Sequence, residues 1–342
     1  MSSVEFDALL ALSVRIGRDP ALVQGPGGNT SIKHDGVMTI KASGTWLAQA
    51  RERPIMVPVR LDPLLRAIAD DEPSTETSQA FVVAADNPLQ LRPSIETTMH
   101  AVLPQRVVVH VHCVETIAWA AREDARQALE SRLAGFDWVF VPYARPGRPL
   151  TKAILANYRA GADVLILGNH GLVVAAETVA EAEALLAAVS ERLRLPARIA
   201  PAFDAGALAE AAQGSSYRPA ADPLVHALAS DPLRFLIAAA GSYYPDHVIF
   251  LGPAAIALAE GQRADAMANL AGRPTLPMLL VEGAGVLMRE NATPGAQAMA
   301  RCLADVTGRV CADIRLRRFS TAEEDALTNW DAEKYRQALD RR

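Results

Sequence analysis

Cysteine is scarce in this 342-residue chain, which holds only Cys113, Cys302 and Cys311. They are too few and too scattered for a disulfide framework, and they point to a reducing compartment. Long apolar runs are lacking as well: stretches such as VIFLGPAAIALA are too short to span a bilayer. The opening MSSVEFDALLALSVRIG carries two acids before its first Arg, so it lacks the basic start of a signal peptide. Nor is there an excess of positive charge. The chain has 34 Lys and Arg against 39 Asp and Glu, a net charge of −5, which argues against DNA or RNA as a partner. A small anionic ligand is compatible with this balance, because a local site can be positive on an acidic protein. Two cofactor motifs are missing too. The Gly-rich stretch at 25–28 is not followed by the Gly-Lys-[Ser/Thr] of a Walker A loop, and Gly283-Ala284-Gly285 has Met288 where a dinucleotide fingerprint needs its third Gly. These deficits predict a soluble cytoplasmic protein without membrane or nucleic-acid partners.

What is present is an ordinary globular composition, 50% hydrophobic and 21% charged, long enough for two domains. Helical spacing over 4–17 ends at Gly17 and Asp19-Pro20. Two short strands follow around IKHDGVMTIK, with Asp35-Gly36 as the hairpin signal. Residues 94–103 read as a helix, VVVHVH (107–112) as a buried strand, and DVLILGNHGLVVAA as strand, turn and strand. A long helix covers 178–195. From Pro196 to Pro223 the composition turns to Ala, Pro, Gly and Ser with little periodicity, a linker signature placed at 201–222. A first domain over 1–200, a second α/β domain over 223–320 and a charged helical tail over 321–342 complete the reading. The tail is expected to pack on a neighbour.

The two halves share a pattern. DVLILGNHGLVVAAETVAEAEALLAAVSERL resembles TLPMLLVEGAGVLMRENATPGAQAMARCLADVTGRV, and PQRVVVHV resembles PDHVIFLG, read as two Pro-led strands. In that alignment Leu251, Pro253 and Ala284 stand opposite His110, His112 and His170. Val-Leu-Gly patterns recur in α/β segments generally, so coincidence is the alternative to a degenerate copy without ligands.

The candidate chemistry begins with His110-Val111-His112. On a strand, alternate residues share a face roughly 6.6 Å apart, so both imidazoles can converge on one ion. The bland alternative is a pair of hydrogen-bonded core histidines. His170, in Gly168-Asn169-His170-Gly171 after a buried strand, brings the imidazoles to three, the number a catalytic zinc uses while keeping a position open. Glu96 is a candidate fourth ligand or base and Ser94 its N-cap, although a first-turn Glu is equally explained by the helix dipole. His100 reads as a packing residue. Glycines 25, 27 and 28 with Asn29, Thr30, Ser31 and Lys33, together with Lys41, Ser43 and Gly44, have the ingredients of a phosphate nest. Cys113 points away from the histidines.

Taken in order, GPGGNTSIK, IKASG, PSIETTMH, VVVHVHCVETIA, VPYARPG and LILGNHGLVV resemble the class II aldolase/adducin family. The longer form, with YYPDHVIFLG and PMLLVEGAGVLM, looks like the aldolase part of bacterial bifunctional rhamnulose-phosphate aldolase/dehydrogenase-like proteins. The resemblance implies a three-layer α/β/α domain with a mixed, largely antiparallel central sheet, followed by a smaller α/β domain. It implies that His110, His112 and His170 hold Zn2+ or another divalent metal, that Glu96 and Tyr143 are catalytic, and that Asn29, Lys41, Ser43, Gly44 and Ser94 receive a sugar phosphate. The implied activity is cleavage of a ketose 1-phosphate to dihydroxyacetone phosphate and an aldehyde through a metal-stabilised enediolate. By the same analogy the protein is a homo-oligomer. Epimerase, dehydratase and decarboxylase activities, or an adducin-like scaffold role, are the alternatives. Ile95 stands where the fuculose-phosphate branch has a second Ser, which leaves the substrate open.

Overall fold

A computed structural model describes residues 3–253, 255–259, 261–265 and 276–341. Residues 266–275, inside the expected second α/β block, lie outside that set. The first half is built on a seven-stranded sheet in the order β3-β2-β1-β4-β7-β6-β5. Its strands are β1 (Asn29–His34), β2 (Val37–Lys41), β3 (Met56–Arg60), β4 (Val107–Val111), β5 (Trp138–Val141), β6 (Val164–Leu167) and β7 (Gly171–Ala176). All neighbours are antiparallel except β5 and β6, so the expected mixed, largely antiparallel sheet is present.

Local chemistry sets these elements. His34 pairs with Val37, leaving Asp35 and Gly36 as a two-residue loop with φ of 48° and 74°, the conformation that Asp-Gly favours in a tight hairpin. The helix Val179–Arg192 starts at a Thr178/Glu181 capping box, which satisfies two backbone donors that the helix start leaves free. Along β4 the pleat sends Val107, Val109 and Val111 to the face covered by Ser3–Arg18 and Val179–Arg192, where Leu9, Leu12, Ile16, Leu186 and Val189 are buried. Val108 points to the other face, against Met99, Leu150 and Ile154. Two helical layers thus sandwich the sheet, and His110 shares the Val108 side.

The second half carries a four-stranded sheet in the order β8-β11-β10-β9, formed by β8 (Tyr217–Pro219), β9 (Ile256–Leu258), β10 (Met278–Val281) and β11 (Gly285–Arg289). Here two expectations need correction. The segment 201–222 is no linker: it holds the helix Ala205–Ala212 and strand β8, which pairs with β11. PDHVIFLG is no strand either, but the helix Pro245–Leu251. A short apolar run does not separate a strand from a helix buried on all sides, and here Pro245 sits in the first turn with every residue of the helix buried.

The two sheets nevertheless share a strand pattern. The order β4-β7-β6-β5 is repeated as β8-β11-β10-β9, with the same antiparallel, antiparallel and parallel pairings. The hairpins also agree, each with a three-residue turn (Leu167 pairs Gly171, Val281 pairs Gly285) and a positive φ at its middle residue, Asn169 or Gly283. A helix of 14 residues with a Thr N-cap follows each. Because His110 pairs with Val173 and Pro219 with Leu287, Pro219, not Leu251, stands in the place of His110, and Ala284 keeps the place of His170. No helix among the described residues is long and apolar enough to cross a membrane.

Candidate metal centre

β4 and the β6–β7 turn bring the three histidines together. His110 is on β4, His112 follows its last residue, and Val111 pairs with Leu172 just past His170. One nitrogen of each ring lies within 4.8 Å of the others, and all three rings are buried. Their centroids are 4.9, 4.9 and 5.2 Å apart. Nδ1 of His110 is 3.0 Å from the Leu172 carbonyl. A carbonyl only accepts, so this contact assigns the proton to Nδ1 and leaves Nε2 with a bare lone pair.

The Glu96 carboxylate closes the fourth side. Its Oε2 lies 3.5 Å from His110 Nε2 and its Oε1 3.3 Å from His170 Nε2. Asn29 Nδ2 donates to Oε2 at 2.8 Å, while Asn29 Oδ1 faces His100 Nε2 and His100 Nδ1 lies 2.7 Å from Ser31 Oγ. Since Oδ1 can only accept, His100 donates from Nε2 and accepts from Ser31. This chain of bonds fixes Asn29, and Asn29 fixes Glu96. His100, read from sequence as a packing residue, thus acts on Glu96 through Asn29. Burial acts to raise the Glu96 carboxyl, but the imidazoles of His110, His170 and His112 and the Asn29 amide bring it down to about 2. Burial pushes His170 down to about 3 and lowers His110, so both rings favour the neutral form that can donate a lone pair.

These residues fit a divalent cation. Nε2 of His110 and Nε2 of His112 are 3.2 Å apart, and two lone pairs at that distance repel unless a cation or proton lies between them. Among the described residues, the buried Glu96 Oε1 has no hydrogen-bond partner, the condition that a buried carboxylate avoids unless something positive meets it. Three nitrogens and a carboxylate oxygen make a zinc-type donor set.

Next to the histidines lies a cavity lined by Asn29, Lys41, Ser43, Gly44, Ser94 and Glu96, with His112 and His170 at its floor. All five expected phosphate residues thus line this cavity, although they are not equally free. Lys41 Nζ donates to the carbonyls of Pro26 (2.7 Å) and Thr45 (2.8 Å). Asn29 is committed to Ser94 and Glu96. Ser43 Oγ is buried and has no hydrogen-bond partner among the described residues, which makes it an open donor. Lys33 is elsewhere, bonded to the carbonyls of Leu103 and Gln105. Ser94 is not the N-cap expected of it: the helix Thr97–Val102 has Glu96 at that position, and Ser94 Oγ instead accepts from the Glu96 N–H at 3.2 Å.

Residues 8–195 match the family model described as the class II aldolase and adducin N-terminal domain, which is more than half of the chain. The chain belongs to this family. A curated relative, the uncharacterized oxidoreductase YuxG of Bacillus subtilis (strain 168), is 32% identical over 185 residues, covering 50% of this chain and 26% of that protein. The chain therefore spans about a quarter of the relative's length. Among solved structures, the N-terminal class II aldolase domain of a conserved protein from Thermoplasma acidophilum is 27% identical, with a TM-score of 0.49, covering 56% of this chain and 93% of that one. The L-fuculose-1-phosphate aldolase of Thermus thermophilus is 17% identical with a TM-score of 0.37, covering 56% and 93%.

One residue carried over from the class II aldolases is not brought to the cavity. Tyr143 turns its ring into the core of the second half, 4.4 Å from Phe319 and beneath the Arg317 guanidinium. Its hydroxyl is buried without a hydrogen-bond partner among the described residues, and burial raises its pKa. Within one chain it does not face Glu96. Conversely, the cavity gains residues from beyond the family-matched stretch: Asp246, Glu333 and Arg336 line it and are all buried. Arg336 Nη1 is 3.0 Å from Asp246 Oδ1 and 2.9 Å from Glu333. Burial, together with the carboxylates of Asp246 and Glu96, pushes Glu333 up to about 7 against the pull of Arg336. The charged tail is thus partly interior and packs on its own chain. Its one sequence signal was an apolar stem beside charges, which a solvated helix shares.

Proposed function

We propose that this class II aldolase family member is a divalent-metal carbon–carbon lyase, with zinc as its metal, that cleaves a ketose 1-phosphate into dihydroxyacetone phosphate and an aldehyde. The observation that carries the reading is the clustering of three buried imidazoles, one nitrogen of each within 4.8 Å of the others, beside the buried Glu96 carboxylate and a cavity that Ser43 also lines. A divalent cation held by His110, His112 and His170 would supply Lewis-acid stabilisation of the negative charge that develops on the substrate oxygens.

The chain's own groups would do the rest. Glu96, held ionised, enters as a base and takes the proton of the C4 hydroxyl as the C3–C4 bond breaks. Having taken that proton, it can also return one to the carbon the aldehyde leaves. Asn29, fixed by His100, keeps the carboxylate aimed. Ser43 and Ser94, with the backbone at Gly44, would hold the phosphate.

Two measurements test this. Zinc analysis of the purified protein should give about one equivalent, and the His110→Ala/His112→Ala variant should give almost none; equal content in both overturns the metal centre. A panel of ketose 1-phosphates should release dihydroxyacetone phosphate in a coupled assay, with turnover reduced about 100-fold or more in Glu96→Gln. A metal-replete protein that releases none across the panel overturns the lyase reading.

A further inference from the structure

We propose that the second half of the chain completes the metal centre: Asp246 fixes the orientation and tautomer of His112, and Arg336 holds Asp246 in place. The proposal rests on the metal-centre reading above and concerns residues that lie outside the family-matched stretch 8–195.

A histidine offers Nε2 to a metal when its Nδ1–H has an acceptor. His110 has the Leu172 carbonyl for this purpose, 3.0 Å away. His112 lies beyond the end of β4 and has no such carbonyl. What faces its Nδ1 is Asp246 Oδ2 at 3.1 Å, while its Nε2 faces His110. Asp246 comes from the first turn of the helix Pro245–Leu251, and the side chains of Asp246 and His112 are 2% and 6% exposed. Among the described residues, Oδ2 is buried and has the ion-pair contact with His112 but no hydrogen bond of ordinary geometry. The other oxygen, Oδ1, is taken by Arg336. The carboxylate is therefore held on one side by a guanidinium and presented on the other to a single imidazole.

The glycine-rich loop closes this arrangement. A Cβ on Gly27 would lie 2.8 Å from His112 Nδ1 and 3.0 Å from Asp246 Oδ2. Backbone without a side chain is what lets the loop cover the contact and keep water from it. The loop that looked from sequence like a phosphate nest thus also seals a carboxylate–histidine pair contributed by both halves. An ionised Asp246 raises the electron density of the imidazole, as carboxylates behind metal-bound histidines do.

The test uses the full-length protein. Zn2+ affinity is measured by competition with a chromogenic chelator, and the Co2+ absorption spectrum reports the ligand geometry. Asp246→Ala should weaken Zn2+ binding about 10- to 100-fold and shift the Co2+ spectrum, whereas Asp246→Asn, which keeps an oxygen acceptor without the charge, should lie between it and the unaltered protein. Because Asp246→Ala leaves Arg336 buried opposite only Glu333, the double variant Asp246→Leu/Arg336→Met removes both charges and should show the same loss in a folded protein. Unaltered affinity and spectrum in the Asn and double variants, with tight binding by the parent, overturn the proposal alone. If the parent itself binds no Zn2+, the metal-centre reading falls, and the proposal with it.

Discussion

Lys41 shows how one side chain records the character of the site. Its ammonium is buried and bonded to the Pro26 and Thr45 carbonyls; burial, aided by the Arg336 charge, pushes its pKa from 10.5 to about 7. The unfolded chain therefore binds more protons than the folded one between about pH 7 and 10, and stability rises with pH across that window. Below it, lysine is charged in both states and the full penalty applies. Lys41→Met removes this titration, so the urea stability of the parent relative to Lys41→Met should climb by a few kcal/mol between about pH 7 and 10. A difference that stays flat over that range would show that Lys41 is not held against its charge. At this scale the sequence exposed the residues in compact motifs: the H-x-H pair, His170 between glycines, and KASG. It hid Asp246 and Arg336, whose contact spans 90 positions and has no motif to announce it.

Between residue and whole, the β6–β7 turn links the histidine site to the second half. Asn169 adopts φ 52°, and its side-chain amide donates to the carbonyls of Tyr243 (2.9 Å) and Arg317 (2.8 Å). Backbone strain and hydrogen bonding can be separated here. Asn169→Gly tolerates the left-handed backbone and loses only the side-chain bonds, at a cost of about 1–3 kcal/mol for the carbonyls left buried. Asn169→Ala should cost about 1 kcal/mol more, because its Cβ opposes the positive φ. Equal urea midpoints for the two variants would mean that the turn is not strained. The β10–β11 turn has Gly283 with φ 72° at the corresponding place, so it has the same conformation without the latch. The hairpins were legible because glycines and short β-rich runs have strong local signatures. β8 was not: three residues after a Gly-Ser stretch carry no periodicity, and only their pairing with β11 defines them as a strand.

At the scale of the molecule, the C-terminal helix Asp331–Asp340 closes the site. Trp330, at its start, stacks under Arg145 with 4.0 Å to the ring, Tyr335 packs under Arg92 at 4.2 Å, and Gln337 donates to the Ile249 carbonyl at 2.6 Å. Leu339 stands over Gly44, where an added Cβ would meet it at 2.5 Å. The open space left in the cavity is about 20 Å³, room for about one water or ion. A sugar phosphate is far larger, so if its phosphate sits at Ser43 and Gly44, ligand and seated helix compete for the same volume. A competing closed state lowers apparent affinity by the fraction of molecules that are open. Trimming the side chain that fills the seat should then tighten binding. Leu339→Ala, which removes about 1 kcal/mol of half-buried packing from the closed state alone, should bind dihydroxyacetone phosphate about fivefold tighter by calorimetry. Gly44→Ala should bind it more weakly, since its methyl group occupies the seat and strains a backbone with φ 74°. If Leu339→Ala binds the compound no better than the parent, the helix does not compete for the phosphate seat, and the substrate must enter on the side of the cavity away from Gly44.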